Sequence, residues 1–263
     1  MSTLLGLFLC VGCELAVAAA SSDQVDVELV LAVDVSRSMD AGEFALQRAG
    51  YVAALRHPDF LSAVRSGLNG RIALTYFEWA GTVRGETLVP WQLIDGAEAA
   101  ARFADQVEGL PADTYRGTSI SGALTFGASL FQESGFEGWR KVIDVSGDGP
   151  NNIGEPVVPV RDATVAGGIT VNGLPIIIRP SPTFQDLDHY YADCVTGGPG
   201  SFVLPIRDSA EFATAIRRKL ILEVSGLQPA EVIPVQAREP VDCGIGERDR
   251  RFYSDPYLPE LGR

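Results

Sequence analysis

Histidine is nearly absent from this sequence of 263 residues: only His57 and His189 occur. That scarcity leaves little room for a His-based zinc site or a Ser-His-Asp triad. Basic side chains are also few, 21 against 34 acidic ones, for a formal net charge of −13. An acidic chain repels phosphate backbones, which argues against nucleic acid as a partner. No stretch beyond the N-terminus approaches the roughly 18 consecutive apolar residues of a membrane helix. What remains is ordinary for a globular protein, with 46% hydrophobic and 21% charged residues. The chain is long enough for one large domain, or two small ones, with a real core.

Residues 1 to 20 read as a signal peptide. An apolar run from Leu4 to Gly12 leads into Ala16, Ala18, Ala19 and Ala20, giving cleavage options after Ala18 or Ala20. The run is short for a membrane span and Glu14 interrupts it. The leading Met-Ser-Thr lacks the usual Lys or Arg, and Cys13 leaves a lipoprotein alternative. Export to the periplasm or outside the cell is expected. Cleavage removes one acid and no base, leaving 33 acids against 21 bases, or −12. It also removes Cys10 and Cys13. The remaining pair, Cys194 and Cys243, suggests a disulfide in an oxidising compartment; two unrelated buried thiols are the alternative.

Along the mature chain, apolar strand-like runs alternate with helical stripes. Strands are expected at 28–33, 71–77, 141–145, 169–178 and 201–204, with an edge strand over 82–94. Helices are expected at 41–56, 96–108, 119–132, 156–167, 183–193 and 208–224. His57-Pro58 should end the first helix. This alternation predicts an α/β fold, a doubly wound, mostly parallel sheet flanked by helices. Residues 226–263 hold 5 of the 16 prolines from 227 onward and no strong period, so they read as a Pro-rich tail lying on the domain.

Three polar clusters fall where these elements begin or end. Asp34-Val35-Ser36-Arg37-Ser38 follows a strand, Gly117-Thr118-Ser119 precedes a helix, and Gly147-Asp148-Gly149 follows another strand. In open α/β sheets, ligands bind beyond the carboxyl ends of the strands, so the three can converge. Together they offer two carboxylates and several hydroxyls, all hard oxygen donors. That set suits Mg²⁺, with Mn²⁺ or Ca²⁺ as alternatives. Two carboxylates cannot fill six positions, so water or an outside oxygen must complete the shell.

Asp34-x-Ser36-x-Ser38, then Thr118, then Asp148, resembles the metal-ion-dependent adhesion site of von Willebrand factor type A (vWA) domains. The resemblance covers about residues 25 to 225. The phrases FEWAG (77–81), RGTSISGAL (116–124), DVSGDGPNN (144–152) and GGPGSFV (197–203) are similar to a bacterial group of exported vWA-like proteins of uncharacterised function. The resemblance implies that Asp34, Ser36 and Ser38 are metal ligands and that Thr118 supplies a hydroxyl, direct or through water. Asp148 would act through water. It also implies a non-enzymatic binding module whose metal engages a carboxylate of a protein partner.

Other readings stand beside this one. Asp34 and Ser36 could simply cap a helix. A serine nucleophile lacks a G-x-S-x-G elbow and a histidine nearby. A metal-assisted hydrolase would need a base, and Glu78 is the one candidate. A third reading has the metal only stiffening loops. Glu78 and Trp79 end a strand on the ligand side, and Asn151 and Asn152 follow the third loop, so all four are candidate partner contacts. Asp40 and Glu43 read as solvated acids at a helix start.

Overall fold

The structure is a computed structural model that describes residues 23–39, 41–179, 184, 186–227 and 239–248. The expected signal peptide, Asp40 and most of the tail lie outside these residues.

The central strand β1 (Asp23–Asp34) is buried on both faces. Val27, Leu29, Leu31 and Val33 point to one core, while Val30 and Ala32 point to the other. A strand covered on both sides reads as a continuous apolar run, which is what the sequence shows. β2 (Ile72–Trp79) pairs parallel to β1 on one side, and β4 (Phe136–Gly147) pairs parallel on the other. β5 (Ile169–Pro175) extends the sheet beyond β4 in parallel, and β3 (Val83–Ile94) closes the opposite edge antiparallel to β2. The order β3-β2-β1-β4-β5 makes the β1/β4 seam the place where the winding reverses. Val33 there pairs with Ser146, so Asp34 and Asp148 leave the sheet from adjacent strand ends. Crevices at such switch points are where ligands bind in this architecture.

Helices α1 (Ala41–Leu55), α2 (Pro58–Arg65), α3 (Ala97–Glu108) and α7 (Phe212–Ser225) cover one face. Phe60, Phe103 and Phe212 are fully or nearly fully buried there, each stabilising the fold by roughly 1.5–3 kcal/mol through burial. The other face carries α4 (Ile120–Leu130), α5 (Val157–Ala166), α6 (Leu187–Tyr190) and a π-helical turn, Tyr191–Val195.

One polar cluster is sealed in the first core. Lys219 Nζ lies 2.8 Å from Asp144 Oδ1 and 2.5 Å from Glu223 Oε1, and Asn172 Nδ2 donates to Glu223 Oε2 at 2.6 Å. Burial pushes the Asp144 carboxyl up to about 7, against the pull of the Lys219 charge. Lys219 is held above its ordinary value because the two carboxylates outweigh its own desolvation.

Two local expectations are corrected and one is extended. The run 201–204 makes isolated bridges with β5, such as Gly173 to Val203, rather than a strand. Gly200 and Pro205 bound that run, and proline has no N–H for a ladder. Over 183–193 a helix of four residues passes into the π-helical turn. The first helix does end before His57-Pro58, and His57 additionally caps α2, its Nδ1 accepting from the Asp59 N–H at 3.1 Å.

Candidate metal centre

Asp34 is the last residue of β1 and is fully buried. Its Oδ1 accepts the Ser36 N–H at 2.7 Å, a tight turn that folds the loop back over the strand end. Gln47, from α1, fixes the same residue by donating to the Asp34 carbonyl at 2.8 Å. The turn aims Ser36 and Ser38 at one point, with their hydroxyls 2.8 Å apart. The Ser38 hydroxyl donates to Asp148 Oδ1 at 2.6 Å, and Ser36 reaches the same oxygen at 3.5 Å. Residues 112 positions apart are thus joined through the sheet's switch point.

Thr118 reaches the site from the loop before α4. Gly117 ahead of it has φ +84°, and an added Cβ would strike the Ile153 side chain, so only glycine fits. The Thr118 carbonyl accepts the Asn152 N–H at 2.8 Å, while its own N–H donates to Asn152 Oδ1 at 2.9 Å. Asn152 therefore locks the second loop to the third. Ser36, Ser38, Thr118 and Asp148 all line one cleft of about 520 Å³, and Asn152 lies on its wall.

The electrostatics disfavour two bare carboxylates side by side. Burial, and then the negative charge of Asp148, hold the Asp34 carboxyl well above the usual range. Burial also pushes Asp148 up to about 6, with Glu43 adding to the effect and the Ser38 hydrogen bond opposing it. Among the described residues no basic side chain pairs with either carboxylate, and Asp34 Oδ2 is a buried oxygen without a hydrogen-bond partner. No three His, Cys, Asp or Glu side chains converge among the described residues. The donor set is two carboxylates plus the hydroxyls of Ser36, Ser38 and Thr118. That all-oxygen chemistry fits a hard divalent cation better than a softer metal.

The remaining candidates sit elsewhere. Glu78 is 1% exposed; its Oε1 accepts from Arg48 Nη2 at 2.6 Å and from the Tyr76 hydroxyl at 2.9 Å. Trp79 is fully buried beside it, and neither residue lines the cleft. Asn151 is also buried, its Oδ1 accepting the Ser121 N–H and its Nδ2 donating to Glu247 Oε1 at 2.7 Å. Glu43 is buried against Arg179 rather than solvated.

Two features escaped the sequence reading. The Tyr191 hydroxyl, buried and without a partner, faces the site from the π-helical turn. It carried no signal, because a tyrosine in a short apolar segment reads as packing. The tail segment 239–248 also braces the third loop. Cys243 is disulfide-bonded to Cys194, the pairing the sequence suggested. The packing of Gly246 against Pro150 and Asn151 and the hold of Glu247 on Asn151 have no local sequence signal.

The same architecture occurs in solved structures. A vWA protein from Catenulispora acidiphila superposes with a TM-score of 0.55 at 17% identity, covering 76% of this chain and 43% of that one. Proximal thread matrix protein 1 from the mussel byssus, in a form with a zinc-occupied metal-ion-dependent adhesion site motif, gives 0.53 at 15% identity. That match covers 78% of this chain and 49% of the mussel chain, so the present chain spans less than half the length of both. Conserved hypothetical protein BatB from Bacteroides thetaiotaomicron gives 0.50 at 18% identity, over 76% of this chain and all of that one. No curated protein sequence is detectably similar. The fold is that of a vWA domain. Within it, the chain belongs to the family described as protein of unknown function (DUF1194), which matches residues 24–228.

Proposed function

We propose that this chain is an exported, metal-dependent protein-interaction module. Asp34, Ser36 and Ser38 hold a divalent cation, with Thr118 and Asp148 contributing directly or through water. The cation, Mg²⁺ in this reading with Mn²⁺ or Ca²⁺ able to substitute, supplies an open position for an oxygen of an acidic group on a protein partner. The vWA-like unit spans about 25–225, and the described tail segment 239–248 packs on it.

The observation that carries the reading is the buried Asp34 carboxylate and the half-buried Asp148 carboxylate, neither paired with a basic side chain among the described residues, meeting the serine hydroxyls at the switch point. Other features agree. The Cys194–Cys243 disulfide fits an oxidising compartment. Among the described residues no helix is long and apolar enough to cross a membrane. A hydrolytic role finds less support. Glu78, the base that role would need, is enclosed by Arg48 and Tyr76 away from the cleft.

Thermal unfolding with and without Mg²⁺ tests the proposal. Wild type should gain stability with cation, by about 2.7 kcal/mol at a hundredfold excess over the dissociation constant. Asp34→Ala should lose that gain. An undiminished Mg²⁺ shift in Asp34→Ala would refute the assignment.

A further inference from the structure

Ser36 and Tyr115 form a parallel bridge that laces the first loop to the segment before Thr118. The Arg37 N–H donates to the Tyr115 carbonyl at 2.8 Å, and the Tyr115 N–H donates to the Val35 carbonyl at 3.0 Å. One step further in that parallel register, Arg37 and Arg116 stand side by side. Both side chains are exposed, and both line the cleft that holds Ser36, Ser38, Thr118 and Asp148. Like charges on neighbouring strands repel.

Acids are plentiful in this chain, and other arginines find them: Arg48 pairs with Glu78, Arg56 with Asp105 and Glu108, and Arg207 with Asp188. Among the described residues, the Arg37 and Arg116 guanidinium groups have no hydrogen bond or ion pair. Two uncompensated cations are therefore held together on firmly bonded backbone, at the rim of a cleft whose lining, among the described residues, includes no acid besides Asp148. Arg179 adds a third guanidinium to the lining, although Glu43 pairs with it. Ile177, Phe184 and Leu187 give the cleft an apolar portion as well.

We propose that Arg37 and Arg116 form an anion subsite beside the metal centre. The cleft then takes a segment of a protein partner bearing two acidic side chains, one for the cation and one for the paired guanidinium groups. This rests on the metal reading above. Guanidinium forks match carboxylates in shape as well as charge. The apolar portion suits the side chains of a peptide. The net charge of −13 repels a long polyanion, whereas a short acidic segment meets mainly the local field of the arginines.

The test uses fluorescein-labelled octapeptides of Gly, Ser and Ala with either one glutamate or two glutamates separated by one to four residues. Affinities are read by anisotropy at saturating Mg²⁺. The best two-glutamate peptide should bind wild type about tenfold more tightly than the best one-glutamate peptide, a difference of about 1.4 kcal/mol. Arg37→Gln/Arg116→Gln should remove that gain, and each single variant should remove part of it. The proposal is overturned if two glutamates give no gain over one, whether both peptides bind or neither does. It is equally overturned if the gain survives in the double variant. A heparin tetrasaccharide that binds through the same arginines more tightly than any peptide overturns the choice of a protein segment. If wild type shows no Mg²⁺-dependent thermal shift, the metal reading itself has failed. A normal shift without an arginine-dependent gain sinks only the second subsite.

Discussion

Asp34 and Tyr191 face each other across the bare Cα of Gly147. A Cβ placed on that glycine would stand 2.9 Å from Asp34 Oδ2 and 2.7 Å from the Tyr191 hydroxyl. Both oxygens are buried and lack hydrogen-bond partners. Gly147→Ala must therefore displace the carboxylate, the phenol or both. The variant is expected to lose about 1–3 kcal/mol of stability through overpacking, and to bind Mg²⁺ at least several-fold more weakly. Calorimetric titration with Mg²⁺ measures the second effect, and an unchanged affinity would show that the Asp34 carboxylate is not held by this gap.

Asp34→Asn should move stability in opposite directions with and without cation. In EDTA the variant should be more stable than wild type by about 1 kcal/mol or more, because it removes a buried charge that no cation compensates. With Mg²⁺ present it should show no further rise. For wild type, Mg²⁺ affinity should fall as pH drops through about 6, where Asp148 takes up its proton and competes with the metal. A wild-type affinity that stays flat between pH 5 and 7 would count against Asp148 as part of the site.

The buried Lys219–Asp144–Glu223 cluster makes its own pH prediction. Asp144 titrates at about 7 in the folded chain, above the roughly 3.9 of an unfolded aspartate. Between these values the folded state binds more protons, so stability falls as pH rises through that window. The raised Lys219 acts elsewhere: its contribution is lost only in the alkaline range, as pH climbs through its folded value. Asp144→Asn should flatten the decline in melting temperature between pH 5 and 8, and retention of the full slope would assign it to other groups. Lys219→Met should cost about 3–5 kcal/mol by leaving buried carboxylates without their cation.

The Cys194–Cys243 bond closes a loop of 49 residues in sequence separation. Cys243→Ser should lower stability by about 4 kcal/mol in the chain-entropy view. It should also raise amide exchange over 148–152, because the tail that holds Asn151 through Glu247 loses its anchor. Exchange unchanged in that loop would mean that the tail does not brace it.

Much of this was legible in the sequence. The apolar run ending at Asp34 and the run ending at Gly147 announce strands buried on both faces, and the polar loops after them mark the sheet's ligand end. The first loop, Thr118 and Asp148 do meet there. Placement beyond the loops was harder to read. Glu78 and Trp79 end a strand on the same side, yet both are buried: Arg48 reaches from α1 to meet Glu78, and Trp79 packs into the second core. Such a pairing over 30 positions has no local sequence signal. The run 201–204 has strand composition but lies between Gly200 and Pro205, and bridges are all it forms. Arg37 and Arg116 looked unrelated until the Ser36–Tyr115 bridge placed their segments side by side.

The seam between β1 and β4 also has a mechanical side. The two strands run parallel and stay in register from Asp23–Phe136 to Val33–Ser146. Their carboxyl ends supply Asp34 and Asp148. A partner tugging on the cleft would pull both strands in the same direction rather than slide one past the other. Tension would enter the fold through its most deeply covered pair, and the helices on both faces would share the load.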